Sequence, residues 1–481
     1  MRRGNGDKNP TPHDRLMGIF RFLLVSSNIK AILQESTIHR REELLRKKTG
    51  GLWLGDAYNA TIELIKIQSG DKSRLGMEAL MWITHAERPL SPDELCHALA
   101  IELGSTSFNS RNVPSMPTLV ACCQGLISVD EKRSTVRLIH SILQEYLSES
   151  PDIFIRPHSE MAEICLTYLN SEQIRALSVD SSPDTLDTPF LEYCSVYWGV
   201  HAKRELSDCA SLLSLELLRE YDGHISAKLL FEQADFLDPE DFSTFSPFSG
   251  LHCATFFGIT EVVVALIERR CCDINAGDFG GHTSLTWAAH NGHDEVVKLL
   301  LDAEGVDPDR PNNCGETPLL YAARNGHEEI VKMLLKREEV NPDKSDNSGQ
   351  TPLSRAAGNG HEGVVKVLLE PEEVNPDKAD DSGLTPLAHA AWDAHEGVVK
   401  MLLERGEVNP DKPDNSGRTP LSLAAQSGRY GMVKILLRRE DVNPHNLDNR
   451  GQTPSMLAAK FGYWRVVDLI RSHLAVYQDG N

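Results

Sequence analysis

The sequence predicts a mostly α-helical protein, in which a C-terminal helical solenoid of about seven repeats follows an α-rich domain with one β-hairpin. Three observations predict this fold. The stretch "DNSGQTPLSRAAGNGHEGVVKVLL", which begins at Asp346, returns almost unchanged at Asp414. Its threonine recurs every 34 residues, and each copy contains a segment with helical apolar spacing. The preceding residues have no such period and contain two strand-like segments around a polar turn.

Length and composition limit the number of domains and the class of protein. A chain of 481 residues is too long for one ordinary hydrophobic core, so two or three domains are expected. No apolar run approaches the roughly 18 to 20 residues that span a bilayer, which argues against a membrane protein. We expect four segments: a basic N-terminal segment (1–50), a first helical domain (51–150), a helical connector and array cap (151–248) and the repeats (249–481).

The charge is acidic and unevenly distributed. The net charge is −21, with about +6 over residues 1–50, −16 over 51–248 and −11 over 249–481. A long acidic surface repels phosphate, so direct nucleic-acid binding by either large segment is disfavoured. The ten cysteines are scattered without C-x-x-C spacing, which predicts reduced thiols and a cytoplasmic or nuclear location.

The segments before the repeats have their own local signals. Arg21 interrupts "RLMGIFRFLLVSS", so we expect a helix that contributes to a core there rather than a signal peptide. Ser91 and Glu94 form a capping box at the start of a helix, and Pro92 suits its first position. "GLISVDEKRSTVRLIH" (125–140) predicts two short strands around a polar turn, followed by the helix "SILQEYL". Helices followed by a strand hairpin indicate a winged helix.

Each repeat begins with a turn and a capped helix. The threonines recur at Thr283, Thr317, Thr351, Thr385, Thr419 and Thr453, and Ser249 takes the place in a seventh, earlier copy. A glycine two residues before each threonine suits a tight turn with positive φ. The threonine hydroxyl can cap the new helix, and a proline usually occupies the first helical position, where no amide is missed.

The rest of the repeat predicts a second helix and a stack. Paired alanines such as Ala356 and Ala357 allow close helix approach, and Gly360 ends the first helix. "HEGVVKVLL" then begins a second helix with an apolar stripe. One helix pair cannot bury that stripe alone, whereas stacked neighbours can.

Over residues 249–475 the chain resembles the ankyrin repeat family through "GxTPL", "AAxxGH", "VVKxLL" and the Asp/Asn-rich stretch between repeats. The tetratricopeptide pattern, which also has a period of 34, is absent. The family's "TPLH" histidine survives only as His252, so one hydrogen bond between repeats is expected to be lost along the stack. Repeat 5 reads "WDAH" where the family has glycine before the histidine, which puts the end of its first helix in question.

A second resemblance covers about 150 residues before the repeats. "ALMWITHAERPLSPDELCHALAIE" (79–102), "CCQGLISVD" (122–130) and "VRLIHSILQEYL" (136–147) are similar to the winged-helix region that follows the NACHT nucleotidase in fungal NACHT and ankyrin proteins. "FLEYCSVYWGVHAK" (190–203) resembles the helical connector of such proteins. The chain contains no Gly-Lys dipeptide, which a phosphate-binding loop of the NACHT type requires, so ATP-driven switching is not carried over.

The sequence predicts no catalytic residue, cofactor or metal site, and an enzyme is the least supported class. His293, His327, His361 and His395 recur at repeat spacing, but successive repeats lie about 10 Å apart and a metal–ligand bond is only ~2 Å long. Packing at the start of the second helix explains them better. "HEGVV" lacks the second histidine of a zinc protease motif, and the Asp-rich residues 306–316 fit the hairpin of the repeat.

The predicted binding surface is the concave face formed by hairpin tips and the exposed ends of the first helices, because the stack leaves side chains there free to vary. The candidate partner-binding residues in those columns are Phe279, His282, Glu316, Arg324, Gln350, Leu384, Trp392, Asp393, Arg418, Lys460 and Phe461.

Trp392 has two interpretations. It serves as a buried aromatic anchor once a partner covers it, a role that often contributes ~2 kcal/mol or more. Alternatively it folds back on its own repeat and compensates for Ala394, which stands where glycine is usual. The first interpretation predicts that Trp392→Ala weakens partner capture and leaves the melting curve almost unmoved.

The sequence favours a non-catalytic, monomeric regulator that binds another protein, with a basic patch, through the repeats. The resemblance to fungal ankyrin proteins implies a cytoplasmic adaptor, or a nuclear transcription coregulator that reaches DNA only through a transcription factor. The alternative is a receptor of the NACHT and ankyrin class that lacks its nucleotidase. Direct DNA binding by the winged helix is disfavoured by a net charge of about −4 over residues 51–150.

Overall fold

A computed structural model describes residues 54–177, 188–233, 248–269 and 272–478. These residues form two compact units. The first comprises the described residues between 54 and 217 and between 223 and 233, and the second those from 218 to 222 and from 248 to 478. The predicted basic segment 1–50, with its expected helix in "RLMGIFRFLLVSS", lies outside the described residues.

The first unit is helical with one small sheet. Its helices are α1 (Leu54–Lys66), α2 (Lys72–His85), α3 (Pro92–Ala98), α4 (Met116–Cys122), α5 (Ser141–Ser148), α6 (Pro157–Leu169), α7 (Glu172–Arg175), α8 (Leu191–Arg204), α9 (Asp208–Leu218) and α10 (Ile225–Gln233). Strands β1 (Ile127–Asp130) and β2 (Thr135–Leu138) form an antiparallel hairpin between α4 and α5. The predicted hairpin and the helix after it are confirmed.

Local signals fix these elements as the sequence predicts. Ser91 Oγ accepts a hydrogen bond from the Glu94 amide at 3.1 Å, and a Glu94 carboxylate oxygen accepts one from the Ser91 amide at 2.7 Å. This reciprocal capping box satisfies two amides that the start of α3 would otherwise leave unpaired. In the sheet Ile127 pairs with Leu138, and the Val136 amide also donates to the Leu90 carbonyl at 2.9 Å.

Aromatic side chains fill the core of the first unit. The ring of Trp82, on α2, lies 5.4 Å from that of Phe190 and 5.7 Å from that of Tyr193, in edge-to-face geometry. All three side chains are fully buried. Helix α8 packs against both α6 and α10, so the segment predicted as a helical connector is a central element of this core.

The second unit consists of stacked helix pairs, numbered here as repeats 1 to 7. The pairs are α11 (Gly250–Phe257) with α12 (Thr260–Glu268), α13 (Ser284–His290) with α14 (Asp294–Asp302), α15 (Pro318–Asn325) with α16 (Glu328–Leu335), α17 (Pro352–Asn359) with α18 (Glu362–Leu368), α19 (Pro386–Asp393) with α20 (Glu396–Leu403), α21 (Pro420–Gln426) with α22 (Tyr430–Leu436), and α23 (Pro454–Lys460) with α24 (Trp464–Gln478). First helices contact first helices of neighbouring repeats, and second helices contact second helices.

The predicted caps hold in the described repeats. In repeat 4 the Thr351 hydroxyl accepts a hydrogen bond from the Ser354 amide at 3.1 Å, and Pro352 occupies the first helical turn. Val364, Val365 and Leu368 of α18 are buried by the neighbouring helices, which is the reason that a helix pair needs the stack. His252 Nε2 hydrogen-bonds the Ala276 carbonyl at 3.0 Å, a contact between repeats 1 and 2.

Repeat 5 ends its first helix without glycine. Ala394 adopts the left-handed conformation with φ of 70°, and its amide donates to the Ala390 carbonyl. Helix α19 therefore stops at Asp393, the position equivalent to Asn325 in repeat 3, so the alanine leaves the helix end in register. Within the described ranges, no helix combines the length and the apolar character needed to cross a bilayer.

Candidate interaction surface

The hairpin tips between repeats are held by a ladder of buried side chains. In repeat 4, one Asp346 carboxylate oxygen accepts hydrogen bonds from the amides of Ser348 and Gln350, each at 2.9 Å. The carboxylates of Asp380, Asp414 and Asp448 accept the equivalent bonds, and in repeat 3 the side-chain amide oxygen of Asn312 does so. Neighbouring tips are joined by backbone bonds such as the one from the Asn347 amide to the Cys314 carbonyl at 2.8 Å. The tips are thus fixed by the fold and present a rigid edge.

The second oxygen of each tip carboxylate usually binds a side chain of the following helix. Arg355 donates to Asp346 at 2.7 Å, and His389 Nε2 lies 2.9 Å from Asp380. In repeat 6 the partner comes from the tip itself, because Arg418 pairs with Asp414 at 2.7 Å. These contacts satisfy buried charge within the array.

Two predicted binding residues belong to an internal network at the tips of repeats 2 and 3. His282 Nε2 lies 3.0 Å from the Tyr321 hydroxyl, and that hydroxyl donates to Glu316 at 2.6 Å. Glu316 is 8% exposed. Burial and the adjacent Glu316 carboxylate raise the pKa of Tyr321. The structure brings His282 and Glu316 together through Tyr321, and their polar atoms are used inside the array.

The other predicted tip residues are half-buried. Phe279 lies at the tip of repeat 2, and Gln350, Leu384 and Arg418 occupy the equivalent edge of repeats 4, 5 and 6. Gln350 reaches Asp380 of the next tip at 3.4 Å. The apolar side chains of Phe279 and Leu384 therefore offer only part of their surface to a partner.

The predicted residues at the ends of the first helices are exposed. Arg324, Asp393 and Lys460 face solvent, Trp392 is 37% exposed and Phe461 is 51% exposed. The Arg418 guanidinium lies over the Trp392 ring, 5.5 Å from its centroid, so the ring is stacked on one face by the next repeat. This cation–π contact leaves a little over a third of the Trp392 side chain in solvent.

The sequence interpretation missed an aromatic and basic surface at the start of the last two second helices. Tyr430 and Trp464 are 40% and 63% exposed, and Tyr463 is 41% exposed. Arg465 lies over the Tyr430 ring at 5.2 Å, and Arg429 Nε donates to the Trp392 carbonyl at 3.3 Å. The sequence does contain a signal for this surface. The first residue of the second helix is acidic in repeats 2 to 5 and aromatic in repeats 6 and 7.

The histidine ladder connects successive repeats. Each Nε2 donates to a carbonyl near the end of the preceding first helix, at 2.9 to 3.0 Å, and the pairs are His293 with Phe256, His327 with His290, His361 with Arg324, and His395 with Gly358. The rings also lie against the glycines that end those helices. The expected role in packing at the helix start is confirmed by these contacts.

One cluster in the first unit has ligand-type side chains within reach of one another. Ligand atoms of Glu87, His158 and His201 lie within 4.8 Å. Arg204 pairs with both Glu87 oxygens, His158 Nδ1 lies 2.9 Å from His201 Nδ1, and His201 Nε2 lies 2.9 Å from the Tyr193 hydroxyl. The facing atoms are therefore engaged with one another, which makes this a hydrogen-bonded network of the core.

Two family models match the chain. A model described as "Ankyrin repeats (3 copies)" matches residues 221–312, 304–380, 338–414, 372–446 and 408–479, and together these ranges cover more than half of the 481 residues. A model described as "GPI inositol-deacylase, winged helix domain" matches residues 62–164. The predicted repeat solenoid and the winged-helix segment are both confirmed. Neither match indicates an enzymatic family.

Two of the solved structures that match the chain are ankyrin repeat domains. The crystal structure of the human ASB11 ankyrin repeat domain is 25% identical, with a TM-score of 0.41, over 46% of this chain and 97% of that one. The ankyrin repeat domain of Bcl-3, described as a unique member of the IkappaB protein family, is 25% identical, with a TM-score of 0.40 over the same shares. No curated protein matches the chain.

Proposed function

The chain belongs to the ankyrin repeat family, and we propose that it is a non-catalytic regulator that captures a partner protein on the face formed by its hairpin tips and first-helix ends. The observation that carries the proposal is that this face contains two kinds of residue, some bonded inside the array and others exposed to solvent. Tip residues such as Glu316 are engaged inside the array, whereas Trp392 and Phe461 keep large apolar surfaces in solvent. Exposed aromatic side chains on a rigid scaffold are typical anchors of protein interfaces.

The proposed regulator has two possible cellular roles. A cytoplasmic adaptor brings two proteins together, and a nuclear coregulator reaches DNA only through a transcription factor. The fungal type is part of the proposal and rests on the resemblance alone. The net charge of −21 supports a partner with a basic surface and disfavours phosphate. A gel shift with the purified chain tests this point, and retention of duplex DNA at physiological salt would contradict it.

Trp392 supplies the sharpest test of the binding face. The full chain is immobilised, proteins captured from an extract of its own cells are identified by mass spectrometry, and Trp392→Ala is compared with the original. The expected result is about tenfold or greater loss of the specifically enriched partner, because an aromatic anchor contributes ~2 kcal/mol. The melting temperature is expected to change little, since the ring is partly exposed and its cation–π contact with Arg418 lies at the surface.

A matched control is Gln426→Ala, one repeat later at the equivalent position. It removes a polar side chain of the same face, together with the 3.3 Å hydrogen bond that Gln426 accepts from Arg418, and is expected to weaken capture far less than Trp392→Ala does. If Trp392→Ala instead lowers the melting temperature strongly while capture persists, the indole serves its own repeat. Absence of any protein enriched over an unrelated acidic bait would overturn the proposed function.

The alternative function is that of a receptor in the NACHT and ankyrin class. The match of residues 62–164 to a winged-helix model favours it, because a winged helix follows the nucleotidase in the proteins that this segment resembles. The two functions differ in whether the gene also encodes a nucleotide-binding module. Transcript sequencing that joins a nucleotide-binding module to the 5′ side of this coding sequence would favour the receptor.

A further inference from the structure

The start of the second helix in repeats 6 and 7 carries an exposed group of aromatic and basic side chains, named here the C-terminal strip. It comprises Arg429, Tyr430, Tyr463, Trp464 and Arg465. Trp464 is 63% exposed, and the two tyrosines are about two-fifths exposed. Large apolar surface in solvent at adjoining positions is a feature of interaction sites rather than of ordinary protein surface.

Earlier repeats act as internal controls for this strip. The positions of Trp464 and Arg465 are taken by Glu328 and Glu329 in repeat 3, where the same helix start forms with the same geometry. Glu328 and Glu329 bind only Lys332 of their own helix, at 2.7 and 2.8 Å. The fold therefore does not require aromatic or basic residues in these columns, and some other requirement accounts for them.

Four of the five side chains of the strip, those other than Trp464, make contacts across repeats. The Arg465 guanidinium lies over the Tyr430 ring at 5.2 Å, and Arg429 Nε donates to the Trp392 carbonyl at 3.3 Å. The Tyr463 ring lies against Gly428, so closely that a Cβ there would come within 2.5 Å of it. These contacts join the strip to the Trp392 edge of the binding face and limit the conformational entropy lost when a ligand binds.

The charge of the array changes sign at the strip. Residues 272–428 contain 14 Lys and Arg against 28 Asp and Glu, whereas residues 429–478 contain eight against four. The net charge is thus −14 in the first stretch and +4 in the second. An acidic ligand is repelled along most of the array and attracted to its last two repeats, where the aromatic rings lie.

We propose that the C-terminal strip binds an acidic segment of a partner protein that also carries apolar side chains. Arg429 and Arg465 pair with its carboxylates, while Tyr430, Tyr463 and Trp464 cover its apolar side chains. This inference rests on the proposed function, because it names the chemistry of one partner segment. The partner then carries an acidic segment that binds the strip, in addition to the basic surface that binds the acidic part of the array.

A defined probe tests the strip. Fluorescence anisotropy of the full chain is measured with a labelled 14-residue peptide of Asp and Glu interspersed with Leu and Phe. A Lys-substituted peptide and a peptide with Ser for Leu and Phe are measured in parallel. The acidic apolar peptide is expected to bind best and to weaken as NaCl rises from about 0.05 to about 0.5 M. Trp464→Ser and Arg465→Glu are each expected to weaken it about tenfold.

Matched controls are Glu328→Ser and Glu329→Lys, the same columns in repeat 3, which are expected to leave the affinity within about twofold. Circular dichroism checks that each variant is folded. Equal binding of all three peptides, or an unchanged affinity in both strip variants, would overturn the proposal. Concentration-dependent dimerisation that Trp464→Ser abolishes, with no peptide binding, would show that a second copy of the chain occupies the strip instead.

The capture experiment distinguishes failure of the proposed function from failure of this inference. Loss of partner capture by Trp392→Ala, with capture intact in Trp464→Ser and Arg465→Glu, retains the binding face and rejects the strip. Loss in the strip variants alone assigns the partner to the strip. Failure of every variant to change capture rejects both.

Discussion

At the scale of single residues, Ala394 shows how the stack adapts to one substitution. In repeats 1 to 4 a glycine occupies this position and the histidine of the next repeat lies against it. An added Cβ at Gly360 would come within 2.3 Å of His395 Nδ1. Ala394 carries such a Cβ, and repeat 6 has Arg429 at the position where repeats 2 to 5 have histidine. The alanine and the arginine thus occur together, because a ring could not lie against the methyl group.

Ala394→Gly is expected to stabilise the array by about 0.5 kcal/mol or less. The left-handed conformation costs a non-glycine residue about 1 kcal/mol, and the greater freedom of glycine in the unfolded chain offsets part of the gain. Urea unfolding monitored by circular dichroism measures the difference. Gly360→Ala is the opposed control and is expected to destabilise by more, because it adds a clash with His395. A destabilising Ala394→Gly would contradict this account of the helix end.

At the scale of elements, the histidine ladder explains how one helix pair recognises the next. The end of each first helix leaves carbonyls without partners inside the helix. His361 Nε2 satisfies the Arg324 carbonyl of the preceding repeat at 2.9 Å, and the other ladder histidines repeat the contact. A helix end of one repeat is therefore completed by a helix start of its neighbour, which couples their stabilities.

His361→Ala is expected to lower the free energy of unfolding by about 1 kcal/mol, the value of a typical intramolecular hydrogen bond. Arg429→Ala is the matched control at the same position in repeat 6. It is expected to cost less than about 0.5 kcal/mol, because its bond is longer and its side chain is exposed. Urea titrations of both variants provide the comparison. A melting temperature that falls on addition of a metal chelator would contradict the ladder as a hydrogen-bonding device.

Elements fixed by nearby residues could be predicted from the sequence, whereas side-chain partners distant in sequence could not. Ser91 and Glu94 are three residues apart and predict their capping box, and the repeat spacing predicts each threonine cap. Glu316 looks like a free tip residue in the sequence. Its burial depends on Tyr321, whose hydroxyl reaches it only after α15 forms. The aromatic residues at the second-helix starts of repeats 6 and 7 can be recognised in the sequence, but the sequence alone does not show that their side chains are exposed.

At the scale of the whole molecule, the side-chain contacts that join the residues farthest apart in sequence, among those the structure describes, lie in the first unit, and none was predictable. The Glu87 amide donates to the Tyr193 hydroxyl at 3.1 Å across 106 residues, and His158 meets His201 across 43 residues. No periodic pattern connects these positions. His158 and His201 meet because α6 and α8 pack together, and Glu87 comes from the segment between α2 and α3. The result is a buried polar network, and we expect it to make this unit sensitive to acid.

The first unit is expected to lose stability as the pH falls below about 6.5. Burial, together with the neighbouring His158, Arg204 and His85, lowers the pKa of His201 to about 3. Burial lowers the pKa of His85 to about 4 and lowers that of His158 as well. A lowered folded-state pKa means that the unfolded chain binds protons first. The stabilisation is therefore complete above 6.5 and declines toward pH 3, by about 1.4 kcal/mol per pH unit for His201 alone.

His201→Gln tests this dependence, because glutamine keeps a donor and an acceptor at the position but does not titrate. Urea unfolding of the full chain at pH 7.5, 6.5 and 5.5 is monitored by pulsed hydrogen exchange in peptides from α6 and α8. Between pH 6.5 and 5.5 the original chain is expected to lose roughly 1 kcal/mol more than the variant in these peptides. His445→Gln, at an exposed position in the array, serves as the control and is expected to lose as much as the original. Equal losses in all three proteins would mean that solvent reaches His201 and that the network does not exclude protons, since a desolvated imidazole must resist protonation in the folded state.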